Sequence, residues 1–319
     1  MDLLALASTR LDLLRTGSLA AALPQHRLRL APYLRERTAF GLPDLEWLGL
    51  AQVVSWLIPA KRTLAGRGAE AMTWADEVFA PSRPDMLLLG DATEAALPFA
   101  VTAQKLGVAV VCLEAGMPTG GPLEQERLII ERLATFRFSP HPGAAAGLQE
   151  AGLECHYQGD LLAGCPALLP DQVLRQTLAV HGLKAGRYAV LAFDGEGIGV
   201  PAESGLPCVR LAGSEGQAHG QLPPVLQADS LSEWLALLAG GGCLVSDQVG
   251  LCRLAAGAGL ARVLVGDPAG LPPWYGEIAT LVPPGQELSR VLVPAGEQAA
   301  QPAPAGAAET IARMLTRGA

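Results

Sequence analysis

Two carboxylates stand where chemistry is easiest to build. Asp91 closes the run Leu87-Leu88-Leu89-Gly90-Asp91, and Glu114 follows Val110-Val111-Cys112-Leu113 and precedes Ala115-Gly116. Each ends an apolar run of strand length. In an open parallel sheet, ligands bind outside the carboxyl ends of the strands. Acids at that edge can hold polar ligand groups and move protons. A structural alternative stands beside this reading, because an acid before a helix also caps its free N–H groups and suits its dipole.

The elements that must position these acids alternate from the start of the chain, the sign of βαβ units and a parallel sheet. Leu3–Ala7 reads as a first strand and Leu11–Leu23 as a helix, with weak alternation over His26–Ala31. Asp44–Trp56 and Pro59–Phe79 read as helices. Met86–Gly90, Ala109–Leu113 and Phe136–Ser139 are strand-like, with helices over Ala95–Leu106 and Leu123–Leu133. A Gly/Pro-rich pause from Gly159 to Pro170 is the best candidate for an interdomain hinge. A second α/β series follows, with strands at Tyr188–Phe193, Cys208–Ala212, Cys243–Ser246 and Arg262–Val265, and helices at Leu231–Leu238 and Leu251–Gly259. Val293–Ala307 has the composition of a linker, and Ala308–Thr316 reads as a last helix.

The bulk composition sets limits. A chain of 319 residues suits two ordinary domains. Half of the residues are apolar and only 17% are charged, with a net charge of −8, so a nucleic-acid surface is not expected. The apolar stretches are strand-sized and broken, so no membrane span is expected, and the first residues lack the basic region of a signal peptide. The six cysteines (112, 155, 165, 208, 243 and 252) form no Cys-x-x-Cys pair, and reduced thiols in a cytoplasm are the economical reading. Five scattered histidines give no metal-ligand spacing. Neither a metal nor a cofactor is expected.

In order along the chain, the motifs resemble those of the non-hydrolysing UDP-N-acetylglucosamine 2-epimerases. That family's Gly-Thr-Arg-Pro-Glu-Ala-Ile-Lys, after its first strand, is matched by Ser8-Thr9-Arg10-Leu11-Asp12-Leu13-Leu14-Arg15. His-Gly-Asp is matched by Leu89-Gly90-Asp91, and His-Val-Glu-Ala-Gly by Cys112-Leu113-Glu114-Ala115-Gly116. Pro-Glu-Glu-x-Asn-Arg falls on Pro122-Leu123-Glu124-Gln125-Glu126-Arg127. Further matches are Phe138-Ser139-Pro140-His141 and Gly159-Asp160. The second half departs from the pattern. The family's Thr-x-His-Arg-x-Glu-Asn lands on Leu191-Ala192-Phe193-Asp194-Gly195-Glu196-Gly197, so its histidine has become Phe193 and Glu196 is what matches. Of the nucleotide-gripping Thr-Asp-Ser-Gly-Gly-x-x-Glu-Glu, Asp247 and Gly250 remain, while Gln248, Val249, Arg253 and Leu254 replace the rest.

The resemblance implies an α/β fold of two Rossmann-like domains in a GT-B arrangement with a cleft between them. It places residues 1–166 and a C-terminal helix at 305–319 in the first domain, and residues 167–304 in a nucleotide-side domain. It implies isomerisation of a nucleotide sugar at C2 by UDP elimination and re-addition, with Asp91, Glu114 and Glu124 as catalytic carboxylates. Arg10, Arg15, Arg127, Glu196, Asp247 and Gly250 would bind substrate, a UDP-N-acetylhexosamine or a relative of it. A homodimer is implied as well. Without the histidine and the Ser-Gly-Gly nest, activity is expected to be reduced or altered. The alternative is a catalytically inactive GT-B-fold protein that binds a nucleotide sugar or serves in assembly. Some residues keep plainer readings: Arg10 and Arg15 as an exposed helix face, Glu124 with Arg127 as a helix ion pair, Glu196 as a solvated loop acid, and Asp247 as a helix cap.

Overall fold

The computed structural model describes residues 1–34, 41–50, 52–119, 121, 123–193, 207–211, 225–226, 228–267, 271–283 and 306–318. They form two units, Met1–Leu161 with Pro304–Ala319, and Leu162–Ala303.

The first unit is built on β1 (Asp2–Ala7), α1 (Arg10–Ala22), β2 (Arg27–Pro32), α2 (Leu42–Trp47), α3 (Leu64–Phe79), β3 (Met86–Leu89), α4 (Ala96–Lys105), β4 (Ala109–Cys112), α5 (Leu123–Leu133), β5 (Phe136–Ser139), α6 (Pro142–Glu150) and β6 (His156–Tyr157). Its strands are parallel, in the order β2-β1-β3-β4-β5-β6. Side chains alternate across each strand. Leu4, Leu6, Leu87, Leu89, Val110 and Cys112 join one core with Ala71, Trp74 and Phe79 of α3 and Phe99 of α4. Their neighbours Leu3, Ala5, Leu88 and Val111 are equally buried on the other side. Burial on both faces is why these strands read as continuous apolar runs.

One expected helix is corrected. Asp44–Trp56 is helical only as far as Trp47, and Gly49, at φ +70°, turns the chain out of the helix. Val53 and Val54, β-branched and poor helix formers, belong instead to an extended segment along the free edge of β2. There Leu30 and Tyr33 bridge Val53 and Leu57. With this segment counted as a strand, the order is that of the doubly wound Rossmann sheet, reversing direction between β1 and β3. Likewise α3 begins at Leu64, where Thr63 caps it by accepting from the Gly66 N–H, and not at Pro59.

The second unit holds α7 (Leu161–Gly164, its first residue shared with the first unit), a 3-10 turn (Cys165–Leu168), α8 (Asp171–Val180), β7 (Ala189–Ala192), β8 (Cys208–Leu211), β9 (Val225–Leu226), α9 (Leu231–Ala239), β10 (Cys243–Ser246), α10 (Val249–Gly257), β11 (Ala261–Val265), α11 (Tyr275–Ile278) and β12 (Thr280–Val282). The segment expected as a hinge is therefore largely helical. The strands run parallel in the order β9-β8-β7-β10-β11-β12. This repeats the Rossmann order, with the reversal between β7 and β10. The stretch read as a linker, Val293–Ala307, lies outside the described residues apart from Gly306 and Ala307.

The last helix, α12 (Ala307–Gly318), packs on α1 in the first unit. Ala308, Ile311, Ala312 and Leu315 are its buried stripe. Leu315 is fully buried there, so Leu315→Ala is expected to cost the chain about 2–5 kcal/mol, the range for truncating a core leucine. Urea unfolding of the two proteins at one pH checks this.

Candidate functional site

The reversal between β1 and β3 in the first unit is where a doubly wound sheet leaves a crevice. The chain fills its mouth with charge. After β1, Thr9 caps α1: its hydroxyl accepts from the Asp12 N–H at 3.0 Å, and Asp12 Oδ2 accepts from the N–H groups of Ser8 and Thr9. This capping box turns the other carboxylate oxygen toward β3. Asp12 Oδ1 accepts from the Asp91 N–H at 3.2 Å and from Arg15 Nη1 at 3.1 Å. A Cβ on Gly90 would collide with that oxygen, so only glycine lets the end of β3 come so close.

Arg15 is the centre of the cluster and is 1% exposed. Its fork donates twice to Asp91, Nη1 to Oδ2 at 3.0 Å and Nη2 to Oδ1 at 3.1 Å. Its Nε lies 2.9 Å from Glu114 Oε1. One guanidinium thus gathers Asp12, Asp91 and Glu114, from α1 and from the turns after β3 and β4. Asp91 is the open member, with its side chain one-third exposed, while Asp12 and Glu114 are buried. Burial, and then the nearby charge of Asp91, push the Asp12 carboxyl up to about 6, against the partial relief that Arg15 gives.

A second cluster sits on α5. Arg127 is held by Glu124, with its Nη2 2.6 Å from Oε1, and by Glu131, which is fully buried. The hydrogen bonds from Arg127, together with the N–H and hydroxyl of Thr119, hold the Glu124 carboxyl down to about 2. Glu131 also accepts from the Gly116 N–H at 2.6 Å, fixing the turn after Glu114. Gly116 has φ +80°, and a Cβ there would sit 2.7 Å from the Ala144 carbonyl oxygen. The Glu-Ala-Gly turn therefore requires glycine at this point. Between the two clusters lies a recess of about 20 Å³, lined by Gly90, Asp91, Cys112, Glu114, Thr119 and Arg127 among others. It has room for one water. The Cys112 thiol, pushed up to about 12 by burial and then by the Glu131 charge, is no nucleophile.

The structure thus brings Asp91, Glu114 and Arg127 to one recess, with Glu124 beside it on Arg127. Arg15 differs from the expected substrate cation: it is buried, and its charge is directed at three acids. Arg10 opens α1 and is partly buried, which lowers its pKa, while the charge of Asp44 acts the other way. Asp12 and Glu131 were not singled out from the sequence. Their signals were the Thr9-x-x-Asp12 capping-box spacing and the i, i+4 spacing of Arg127 and Glu131.

In the second unit, β7 and β10 are neighbours with Ala192 opposite Ser246. Phe193 and Asp247 therefore stand side by side at the reversal of that sheet. Phe193 packs against the core of Leu191, Val245 and Val263. The Ser246 hydroxyl accepts from the Gln248 N–H at 3.0 Å, and Gly250 lies in the first turn of α10. Glu196 lies outside the described residues. Among the described residues, no group of three or more His, Cys, Asp or Glu could hold a metal ion.

No protein-family model matches the sequence, and no curated protein is matched by it. Solved structures are matched. The UDP-GlcNAc 2-epimerase of Neisseria meningitidis, solved bound to UDP-GlcNAc, is 14% identical with a TM-score of 0.76, over 99% of this chain and 100% of that one. The Methanocaldococcus jannaschii enzyme, solved with UDP-GlcNAc and UDP, is 15% identical with a TM-score of 0.75, over 100% of both chains. The Rickettsia bellii enzyme is 15% identical with a TM-score of 0.67, over 84% of this chain and 79% of that one. The chain has the α/β fold of these epimerases, built as two Rossmann-like units of the GT-B class, and the resemblance read from its motifs is to the same proteins.

Two predictions test the Arg15 cluster. Replacing Arg15 by Met leaves three acids around an apolar side chain, and is expected to cost about 3–5 kcal/mol at pH 7.5, the penalty for orphaning buried charge; urea unfolding measures it. The second concerns pH. The folded Asp12 carboxyl titrates near 6, above its ordinary 3.8, so the folded state holds the extra proton between those values. Its stabilising contribution is full below the lower value and is lost as pH rises through the upper one. The urea midpoint should therefore fall between pH 5 and pH 7.5 by more in the parent protein than in Asp12→Asn. Equal slopes would remove Asp12 as the titrating group.

Proposed function

We propose that this protein is a UDP-N-acetylglucosamine 2-epimerase-like isomerase. It acts on a UDP-N-acetylhexosamine or a related nucleotide sugar by eliminating UDP and adding it back. The observation that carries this reading is the set of acids held by Arg15 and Arg127 around one recess at the carboxyl ends of β3 and β4. Inversion at C2 needs a base that takes the C2 proton, breaking the C–H bond as the C1–O bond to UDP breaks. An acid must then return a proton from the other face. Asp91, the open acid of the Arg15 cluster, and Glu114 are the groups assigned to proton transfer. Glu124 stays in the set of candidate acids, but held ionised by Arg127 and Thr119 it is a poor donor at neutral pH and a weaker base than an ordinary carboxylate. Arg15 and Arg127 act by positioning these acids, and Arg10 is assigned to the substrate's phosphates.

In the second unit, Asp247 and Gly250 are assigned to the nucleotide side of the site. Phe193 offers neither a proton nor a hydrogen bond where the resembled family has histidine, so slow turnover is part of the proposal. We place the protein in the cytoplasm as a homodimer, with all six cysteines free and no nucleic-acid or membrane partner. Among the described residues, no helix is long and apolar enough to cross a membrane.

The packing of Phe193 into the core, and the engagement of Arg15 and Arg127 by acids, favour one other reading. A GT-B-fold protein could bind a nucleotide sugar, or serve in assembly, without turning its ligand over. Proton NMR with UDP-N-acetylglucosamine in D₂O separates the two. The isomerase reading expects deuterium at C2 and a loss of roughly 10²-fold or more in that exchange on Asp91→Asn, the size typical of removing an acid–base group. Binding without exchange establishes the other reading, and neither signal removes both for this ligand.

A further inference from the structure

The group that holds the second cluster together lies out of reach of any ligand. Glu131 is fully buried on α5. A buried ion pair is weak evidence for stability, because apolar residues of similar volume are often as stable or more so. One of its two oxygens, Oε2, also finds no hydrogen-bond partner among the described residues, which costs further stability. A glutamate at this position therefore calls for a reason other than stability.

The other oxygen supplies one. Oε1 accepts from the Gly116 N–H at 2.6 Å and from Arg127 Nη1. The first bond falls two residues after Glu114. The second leads to Glu124, which Arg127 Nη2 meets at 2.6 Å. Nearby backbone bonds, from the Leu113 N–H to the Leu89 carbonyl and from the Ala115 N–H to the Phe138 carbonyl, pin the turn to β3 and β5. Gly116, with φ +80° and the backbone freedom of glycine, is where the turn could still swing, and its N–H is what Glu131 holds. The glutamate is itself anchored from behind. Arg137 of β5 donates through Nε to the Glu131 carbonyl oxygen and through Nη2 to that of Ala134 at 2.6 Å.

We propose that Glu131 is a positioning residue for proton transfer, setting where the Glu114 carboxyl stands against Arg15 and the recess. The inference rests on the isomerase reading. The role is one of geometry: an acceptor oxygen at this point is required, and the negative charge is not. It acts on the rate of the proton-transfer step and leaves ligand affinity alone, since Glu131 touches no ligand.

Two variants of the full chain separate geometry from charge, with UDP-N-acetylglucosamine in D₂O as the probe and C2 exchange followed by proton NMR over a range of concentrations. Glu131→Asp keeps the charge but is one methylene too short to reach the Gly116 N–H. It is expected to slow the maximal exchange rate by about 10- to 100-fold with KM within about twofold, the scale of a displacement of roughly 1 Å. Glu131→Gln can keep its oxygen on Gly116 and Arg127, with the amide nitrogen in the place of Oε2, and should stay within about threefold of the parent rate. Hydrogen exchange at the Gly116 amide reads the same contact without catalysis: faster in Glu131→Asp, unchanged in Glu131→Gln. A role in stability alone would follow the loss of charge instead, lowering the melting temperature most in Glu131→Gln and leaving the rates untouched. Exchange at C2 that Glu131→Asp leaves intact, a Glu131→Gln as slow as Glu131→Asp, or a change carried by KM overturns this role and spares the isomerase reading. A parent protein that shows no exchange at C2 overturns both.

Discussion

The Arg15 guanidinium is the interaction on which the first unit's carboxyl edge depends. Bringing that cation out of water costs several kcal/mol, and the cost is recovered only where good geometry and extra hydrogen bonds surround it. Here three acids from three segments converge on it. The first turn of α1, the end of β3 and the turn after β4 are thereby locked to one another. Gly90 follows from the same constraint, because a Cβ there would collide with the Asp12 oxygen that meets Arg15. The raised pKa of Asp12, pushed up to about 6, follows too, since burial and the nearby charge of Asp91 outweigh the partial relief that Arg15 gives.

That balance shapes what the edge can bind. A diphosphate brings negative charge, and here it would meet Asp91, Glu114 and Glu124 with both neighbouring arginines already engaged. Under the proposed isomerase reading, the acids would suit the sugar end of a substrate better than its leaving group. Under the same reading, Arg10, at the first turn of α1, is the first unit's cation assigned to the phosphates. The resembled family puts a histidine and a Ser-Gly-Gly nest in its second domain. At the corresponding positions this chain has Phe193, which faces its own core, and Gln248-Val249-Gly250. The contrast between a well-ordered set of acids and the loss of those groups is the physical reason the proposed isomerase is expected to be slow.

Much of this was legible in the sequence, for identifiable reasons. Strands buried on both faces announce themselves as apolar runs, so Cys243–Ser246 was read to the residue. Leu123–Leu133, with its amphipathic period and first-turn acids, was equally plain. The extended segment near Val53 was misread, because its partner is an edge strand that no local pattern reveals. Alanine- and glycine-rich α6 and the two-residue β6 escaped for want of a periodic signal. Within the site, the positions of Asp91 and Glu114 after their strands were readable, since order along the chain gives it. That Arg15 lies beneath them was not. An arginine on a helix gives no sign of which way it points until the sheet closes over it.

The exchange of lysine for arginine at position 15, relative to the motif it resembles, carries more than its conservative look suggests. A lysine ammonium is a compact point charge on a flexible stem, able to follow one partner or turn toward another. The arginine fork is planar, and here it meets Asp91 with two donors while Nε lies against Glu114. That geometry leaves the cation little freedom to move toward a developing negative charge. Arginine therefore turns a group that could travel with the reaction into a fixed frame for the acids around it. The capping box adds to the frame: Asp12 is tied to α1 by Ser8 and Thr9 before it reaches Arg15 at all. In such a frame Asp91, the one acid of the three with substantial exposure, is the group through which the cluster meets anything outside.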